Sequence, residues 1–311
     1  MHKNWCVAET LPRQFESYSL CLAPAPSLMS LLDKRIKSLL EGLSSALARL
    51  GDEVSPKSVH RLRTTIRRIE SVVAHTSPDL GRKQQRALKN LATLRKRAGK
   101  VRDLDVQLTL LGAIANGSTS PDRHALEDLL KRKRSKQAER VTAAIGNLET
   151  PKLFAHLERI GEKVVTVSEE ATVLPMKQAR RQLSNLAAEF ISRQPIQPRF
   201  IHQVRIRMKM IRYLAELGKA SPDQRRFLET LKSTQDALGA WHDWELLAET
   251  TEKQFGGRVN CPLLVEVRAL FAAKYSAATA AVRQLFSLDS ATAVRKEARS
   301  AEAPRALAQP A

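Results

Sequence analysis

Two short stretches each place a histidine and two cations one helical turn apart. The first is His60-Arg61-Leu62-Arg63 followed by Arg67; the second is His202-Gln203-Val204-Arg205 followed by Lys209. Residues three and four apart share one face of a helix. A face that offers imidazole, guanidinium and ammonium groups together, with no carboxylate among them, suits an anion with many oxygens. Arginine grips such oxygens through a planar fork, and lysine meets them as a point charge. A third stretch, Trp241-His242-Asp243-Trp244, suggests other chemistry. An adjacent His-Asp pair ligates the metal of some phosphohydrolases, and His202 would extend such a centre. The ordinary alternatives are a solvated charged face with i to i+4 partners and histidines that only hydrogen-bond within the fold.

The elements that carry these residues read as amphipathic helices. On a wheel of about 100° per residue, Val59, Leu62, Ile66, Ile69 and Val73 gather on one side. His60, Arg63 and Arg67 lie opposite, with Arg61 and Arg68 on one flank. The later copy repeats this: Ile201, Val204, Met208, Ile211 and Ala215 form a stripe opposite His202, Arg205 and Lys209. From Val59 to Arg102 there are 13 Lys or Arg and two acids; from Pro195 to Ala215 there are five basic residues and no acid. Opposite-sign partners are present elsewhere, as with Glu127 and Lys131, but not around His60 or His202.

Bulk properties support an anionic partner. The 311 residues include 52 Lys and Arg against 32 Asp and Glu, a net charge of +20 that attracts polyanions over a distance. Hydrophobic residues at 43 % indicate a globular chain. Aromatics at 5 % argue against single-stranded nucleic acid, whose bases stack on aromatic rings. Cys6, Cys21 and Cys261 are odd in number and unpaired in sequence, which suggests neither a zinc site nor a disulfide framework and fits a reducing cytosol. No run of about 18 apolar residues exists, so no membrane span is expected.

Helix starts recur as Ser77-Pro78-Asp79, Ser120-Pro121-Asp122 and Ser221-Pro222-Asp223, with shorter forms at Ser55-Pro56 and Thr150-Pro151. Serine caps the helix, proline is pre-set for its first turn, and aspartate meets the positive end of its dipole. The spacing predicts helices over 28–50, 56–76, 78–115, 121–147, 175–194, 198–219, 222–255 and 262–287, with a shorter one near 151–166. No convincing strand is present. Residues 1–27 read as irregular, and the Ala-rich, charged segment 288–311 reads as a mobile tail.

The chain also repeats itself. Val59-His60-Arg61-Leu62-Arg63 has an echo at Ile201-His202-Gln203-Val204-Arg205, 142 residues later. Ala98-Gly99-Lys100-Val101-Arg102-Asp103 has one at Leu238-Gly239-Ala240-Trp241-His242-Asp243, 140 residues later. Arg102 thus takes the place of His242, which weakens a metal-centre reading because arginine is not a ligand. Arg102-Asp103 and His242-Asp243 read as equivalent polar contacts joining helices, or as a cation oriented by its aspartate. Gly99 and Gly239 read as close-packing positions between helices.

Both echoes resemble the two halves of a CHAD domain, the conserved-histidine α-helical domain. V-H-R-L-R-T-T-I-R-R with R-A-G-K-V-R-D-L-D-V is similar to its first half. I-H-Q-V-R-I-R-M-K-M-I-R-Y-L-A-E-L with T-Q-D-A-L-G-A-W-H-D is similar to its second. The likeness spans about residues 28–287, with Ala98 where many relatives carry leucine. It implies an all-α fold of two pseudo-symmetric antiparallel four-helix bundles with a basic groove or channel between them. The bundles would span 28–147 and 175–287, joined by a connector over 148–174.

The resemblance further implies non-catalytic binding of inorganic polyphosphate, without cofactor or metal, at polyphosphate granules in the cytoplasm and near other granule proteins. By matching positions, His60, Arg63, Arg67, His202, Arg205 and Lys209 would line the groove. Lys37, Arg61, Arg68, Arg102, Arg180, Arg181 and Arg212 would add secondary contacts. Histidines beside phosphates are expected to be held protonated. A duplex nucleic-acid-binding protein is the alternative reading, with a metal-dependent phosphohydrolase behind it. No E-x-E-x-K motif of a triphosphate tunnel domain accompanies these features.

Overall fold

The computed structural model describes residues 28–302, apart from 77, 115–119, 171–174, 194–195, 219 and 259; the side chains of 28–31, 166–170 and 288–302 also lie outside the description. Among the described residues there are nine helices and no strand. They are α1 (Leu28–Asp52), α2 (Pro56–Thr76), α3 (Arg82–Ala113), α4 (Pro121–Gly146), α5 (Thr150–Glu170), α6 (Pro175–Ser192), α7 (Pro198–Leu217), α8 (Pro222–Phe255) and α9 (Pro262–Glu302). The expected irregular segment 1–27 falls outside the described residues.

Several helix starts follow the cap chemistry. Ser120 Oγ accepts from the Arg123 backbone N–H at 3.2 Å, and Ser221 Oγ accepts from that of Gln224 at 3.1 Å. Each satisfies a donor left orphaned in the first turn. The start expected at 78 differs. α3 begins at Arg82, with Gly81 as cap and its N–H donated to Gln84 Oε1 at 2.8 Å. Glycine at position 81 is a poor helix former, so the chain turns there instead of continuing from Pro78.

Two other elements run longer than expected. α5 extends to Glu170 and packs on α1, α2 and α3, burying Leu153, Leu157, Ile160 and Val164. The segment expected as a connector therefore contributes core to the first half. α9 continues fifteen residues past the expected end at 287, to Glu302. Its Ala, Arg, Lys and Glu are strong helix formers, and the stop signal, Pro304, comes only two residues later.

Helices α1–α5 pack mainly among themselves, as do α6–α9, and the two groups meet through α2 with α7 and α3 with α8. Like helices of the repeat thus face one another. The apolar stripes lie where the wheels placed them: Val59, Leu62, Ile66, Val204 and Met208 are wholly buried. They belong to a hydrophobic cluster that runs through both groups, from Leu43 of α1 to Phe286 of α9. A second cluster joins the far ends of α3 and α4, through Leu111 and Leu126, to Trp244 and Leu247 of α8 and Val267 of α9. Neither core belongs to one half alone.

A polar clamp reinforces the α2–α7 contact. Glu216 of α7 accepts from Arg68 Nε of α2 at 3.2 Å and from Arg212 Nε of its own helix at 3.0 Å. Its carboxylate side chain is only 11 % exposed, and this one buried acid is shared by two more exposed arginines. Shortening the stripes should cost what buried aliphatic groups usually cost. Ile66→Ala and Met208→Ala are each expected to lower the unfolding free energy by about 2–5 kcal/mol, read from urea denaturation. A loss below about 1 kcal/mol for both would mean that these faces are not core.

Candidate anion-binding cleft

A cleft of about 250 Å³ opens where α2, α3, α7 and α8 meet. α2 supplies His60, Arg63, Thr64 and Arg67; α3 supplies Arg102, Asp103 and Val106. α7 adds Arg205, Lys209 and Tyr213, and α8 adds Gly239 and Asp243. The apolar stripes determine this arrangement. With Leu62, Ile66, Val204 and Met208 turned into the core, the cationic faces of α2 and α7 must turn outward on the opposite side. Because these two helices meet, the faces converge.

Six permanent or potential cations share the cleft with two carboxylates. Arg63 Nη1 stands 3.8 Å from Asp103 Oδ1, an ion pair longer than a hydrogen bond. Burial pushes the Asp103 carboxyl upward, against the pull of Arg63 and Arg205. Asp243 behaves likewise, with Arg205 and Lys209 opposing the effect of burial. The Nε atoms of Arg63 and Arg205 are buried and have no hydrogen-bond partner. Unpartnered buried donors are costly, and a pair of them at matching positions of the repeat calls for an acceptor.

Lys209 shows how strained the charge balance is. Burial, followed by the fields of Arg205, Arg67 and Arg63, lowers its pKa to about 7. Without phosphate beside them, the histidines are pushed toward the neutral form. His60 is pushed below its ordinary value by burial and by Arg102, Arg63 and Arg68; His202 by burial, Arg205 and Lys209. Burial, and after it the neighbouring cations, disfavour a charged imidazole at both positions.

The candidate residues fall into two groups. His60, Arg63, Arg67, Arg102, Arg205 and Lys209 come together in the cleft. His202 stands to one side, its ring 5.3 Å from that of His242 and 6.5 Å from that of Trp241. The other secondary residues lie elsewhere. Arg68 and Arg212 serve the Glu216 clamp. Arg180 pairs with Asp223 at 2.7 Å and covers the Phe227 ring. Lys37 pairs with Asp33 at 2.9 Å and lines a groove between α1 and α5. Arg61 borders a recess with Arg49 and Lys57, and Arg181 is exposed on α6.

Five lining residues were not anticipated as site residues: Thr64, Asp103, Val106, Tyr213 and Asp243. Tyr213 follows Lys209 by four, so the same helical-face argument could have found it. Gly239 is also a lining residue, and it differs from the close-packing role expected of it. A Cβ there would meet nothing within 4 Å, so it leaves open space in the cleft. Gly99, by contrast, lies beneath the Arg63 guanidinium, which a Cβ would meet at 3.8 Å.

Comparison with known proteins agrees with this architecture. The sequence profile of the CHAD domain matches residues 30–252, and the chain belongs to that family. The crystal structure of the CHAD domain from the plant Ricinus communis is similar, with 18 % identity, a TM-score of 0.61, and coverage of 83 % of this chain and 91 % of that one. PptA from Streptomyces chartreusis is similar at 20 % identity and a TM-score of 0.56, covering 84 % of this chain and 98 % of its own. No curated protein matches. Among the described residues no helix is long and apolar enough to cross a membrane.

The cleft's electrostatics make a direct prediction. The Lys209 side chain should titrate near pH 7 in NMR of the ligand-free protein. Asp243 holds that value up, so Asp243→Asn should lower it further. A Lys209 pKa close to 10.5 would show that the site is open to bulk water.

Proposed function

We propose that the protein binds inorganic polyphosphate in this cleft and does not hydrolyse it. The observation that carries the reading is the convergence of Arg63, Arg67 and Arg102 with Arg205 and Lys209, from both halves of the chain, on one narrow space. Membership of the CHAD family supports it, because some members bind polyphosphate. The chemistry fits as well. A linear phosphate chain carries about one negative charge per unit and presents only oxygens. It needs rows of cationic donors, and it needs no aromatic platforms of the kind that bases require.

In this reading phosphate oxygens take over the roles that Asp103 and Asp243 fill imperfectly. They accept from the orphaned Nε donors of Arg63 and Arg205 and restore the charge of Lys209. Tyr213 and Thr64 add neutral hydroxyl donors. Inside a cell the polymer would recruit the protein to polyphosphate granules.

Competition tests the ligand class. Labelled long-chain polyphosphate bound to the protein should be displaced by unlabelled polyphosphate far better than by an equal charge of duplex DNA. Equal displacement would favour the nucleic-acid reading. Arg63→Ala and Arg205→Ala should each weaken binding about 10- to 100-fold, the usual range for a hydrogen bond to a charged group. The combined replacement of Arg63, Arg67, Arg205 and Lys209 by alanine should abolish binding while leaving the fold intact, because it relieves repulsion. Unchanged affinity would place the site elsewhere. Incubation with polyphosphate and a divalent metal should release no orthophosphate; release that is lost in His242→Ala would establish hydrolysis.

The pH dependence has a definite sign. A polyanion favours the charged form of Lys209, so its bound pKa exceeds the free value of about 7. Binding therefore takes up a proton between those two values, and affinity falls as pH rises through about 7. Lys209→Arg, which stays charged, should flatten this slope above pH 7. An equally steep slope in that variant would assign the proton to another group.

A further inference from the structure

A second groove, of about 520 Å³, lies between the first turns of α3 and α5. Lys83 and Arg86 reach it from α3, and Lys152, His156 and Arg159 reach it from α5. The two helices pack against each other. Within each helix these residues stand three or four apart, so each set forms a row on one face. Ala87 and Leu153, both buried, close the floor between the rows. Asn90 of α3 and Asn147, just past α4, add neutral amides. None of these residues lines the cationic cleft. Along α3, Arg86 and Arg102 are sixteen residues apart, about 24 Å, so a small ligand cannot reach both places.

The charge in this groove is poorly matched from within. Glu149 is the single carboxylate among its described lining residues. It bonds Lys152 at 2.7 Å, with both side chains 71 % exposed, and such a pair contributes little and is readily exchanged. Among the described residues, Lys83, Arg86 and Arg159 have no ion-pair partner. His156 Nδ1 is buried without a hydrogen-bond partner, so the ring can turn outward without breaking a bond there. The repeat does not account for these cations. Lys83 corresponds to Asp223, 140 residues later, which pairs with Arg180. The other wall, α5, is the fifth helix of the first group and has no counterpart among the four of the second.

We propose that this groove binds a short oligophosphate, either free or as the phosphate tail of a nucleotide. Arg86 and Arg159 offer guanidinium forks from opposite walls, and Lys83 and Lys152 offer point charges beside them. The row from Lys152 to Arg159 spans seven residues, about 10 Å, which suits a few linked phosphates. The volume is that of a small-ligand site, commonly about 300–1,000 Å³. No aromatic side chain lines the groove, so a nucleobase has nothing to stack on and recognition rests on the phosphates. The residues differ from those of the cleft, and the inference does not rest on the polyphosphate reading.

NMR of the full wild-type chain tests it as inorganic triphosphate is added. Saturable amide shifts are expected at 83–90 and 152–159, separately from any at the cleft. Calorimetry on the variant with Arg63, Arg67, Arg205 and Lys209 replaced by alanine isolates the groove and should show one equivalent. In that background, Lys83→Ala/Arg86→Ala/Arg159→Ala should weaken binding at least about tenfold. Replacing Arg132, Lys133 and Lys136, an equal charge exposed on α4, should leave it unchanged. Sulfate should bind far more weakly than triphosphate. ATP as tight as triphosphate would extend the site to nucleotide tails, and much weaker ATP would restrict it to free oligophosphate. Shifts confined to the cleft, sulfate binding as tight as triphosphate, or an equal loss in the α4 variant would overturn the assignment. The wild-type shifts decide the matter even if a variant misfolds.

Discussion

Repulsion between cations in a partly dehydrated space is the constraint on which the rest of this structure depends. Arg63, Arg67, Arg102, Arg205 and Lys209 occupy one cleft, and each loses hydration there without gaining a full counter-charge. Left to themselves, α2 and α7 would separate. They are held by apolar stripes on their opposite faces, which enter a single hydrophobic cluster shared by both halves. Burying one such aliphatic side chain contributes about 1.5–3 kcal/mol, and several act together. Glu216 adds a directional restraint by bonding an arginine from each helix. The continuous core is therefore a requirement of the site as well as of the fold.

The two aspartates temper this repulsion without cancelling it. Asp103 and Asp243 occupy matching positions on α3 and α8, and burial raises the pKa of both although cations surround them. The contact of Asp103 with Arg63 is loose, at 3.8 Å. A tight bidentate pair would satisfy the guanidinium and leave little for a ligand. A loose one keeps the cleft folded and its donors available. The cost of poor satisfaction falls on the unliganded molecule, and an anion in the cleft would relieve it.

Much of this was legible in the sequence, because the decisive signals were periodic. Ile66 and Met208 lie on strict apolar stripes, which fix the direction of Arg67 and Lys209 once helices are assumed. The repeat then predicted that the two cationic faces correspond. Other features depend on tertiary contacts that no local pattern encodes. Arg68 reads as a free cation until the fold brings Glu216 of α7 beside it, 148 residues away. Arg180 finds Asp223 across 43 residues. Gly239 and Gly99 share a motif position, yet only one faces open space. Glu245 bonds His242 within its own helix, a local i to i+3 pair, but its approach to His202 arises only from the packing of α7 on α8.

The meeting of α2 with α7 and of α3 with α8 makes the cleft electrically lopsided. α2 and α3 bring three arginines, Arg63, Arg67 and Arg102, whereas α7 and α8 bring Arg205 and Lys209. Arginine keeps its charge across the ordinary pH range, but Lys209 loses its charge as pH rises through about 7. Alkaline solution therefore discharges part of one wall and leaves the other, so that the field across the space tilts toward α2 and α3.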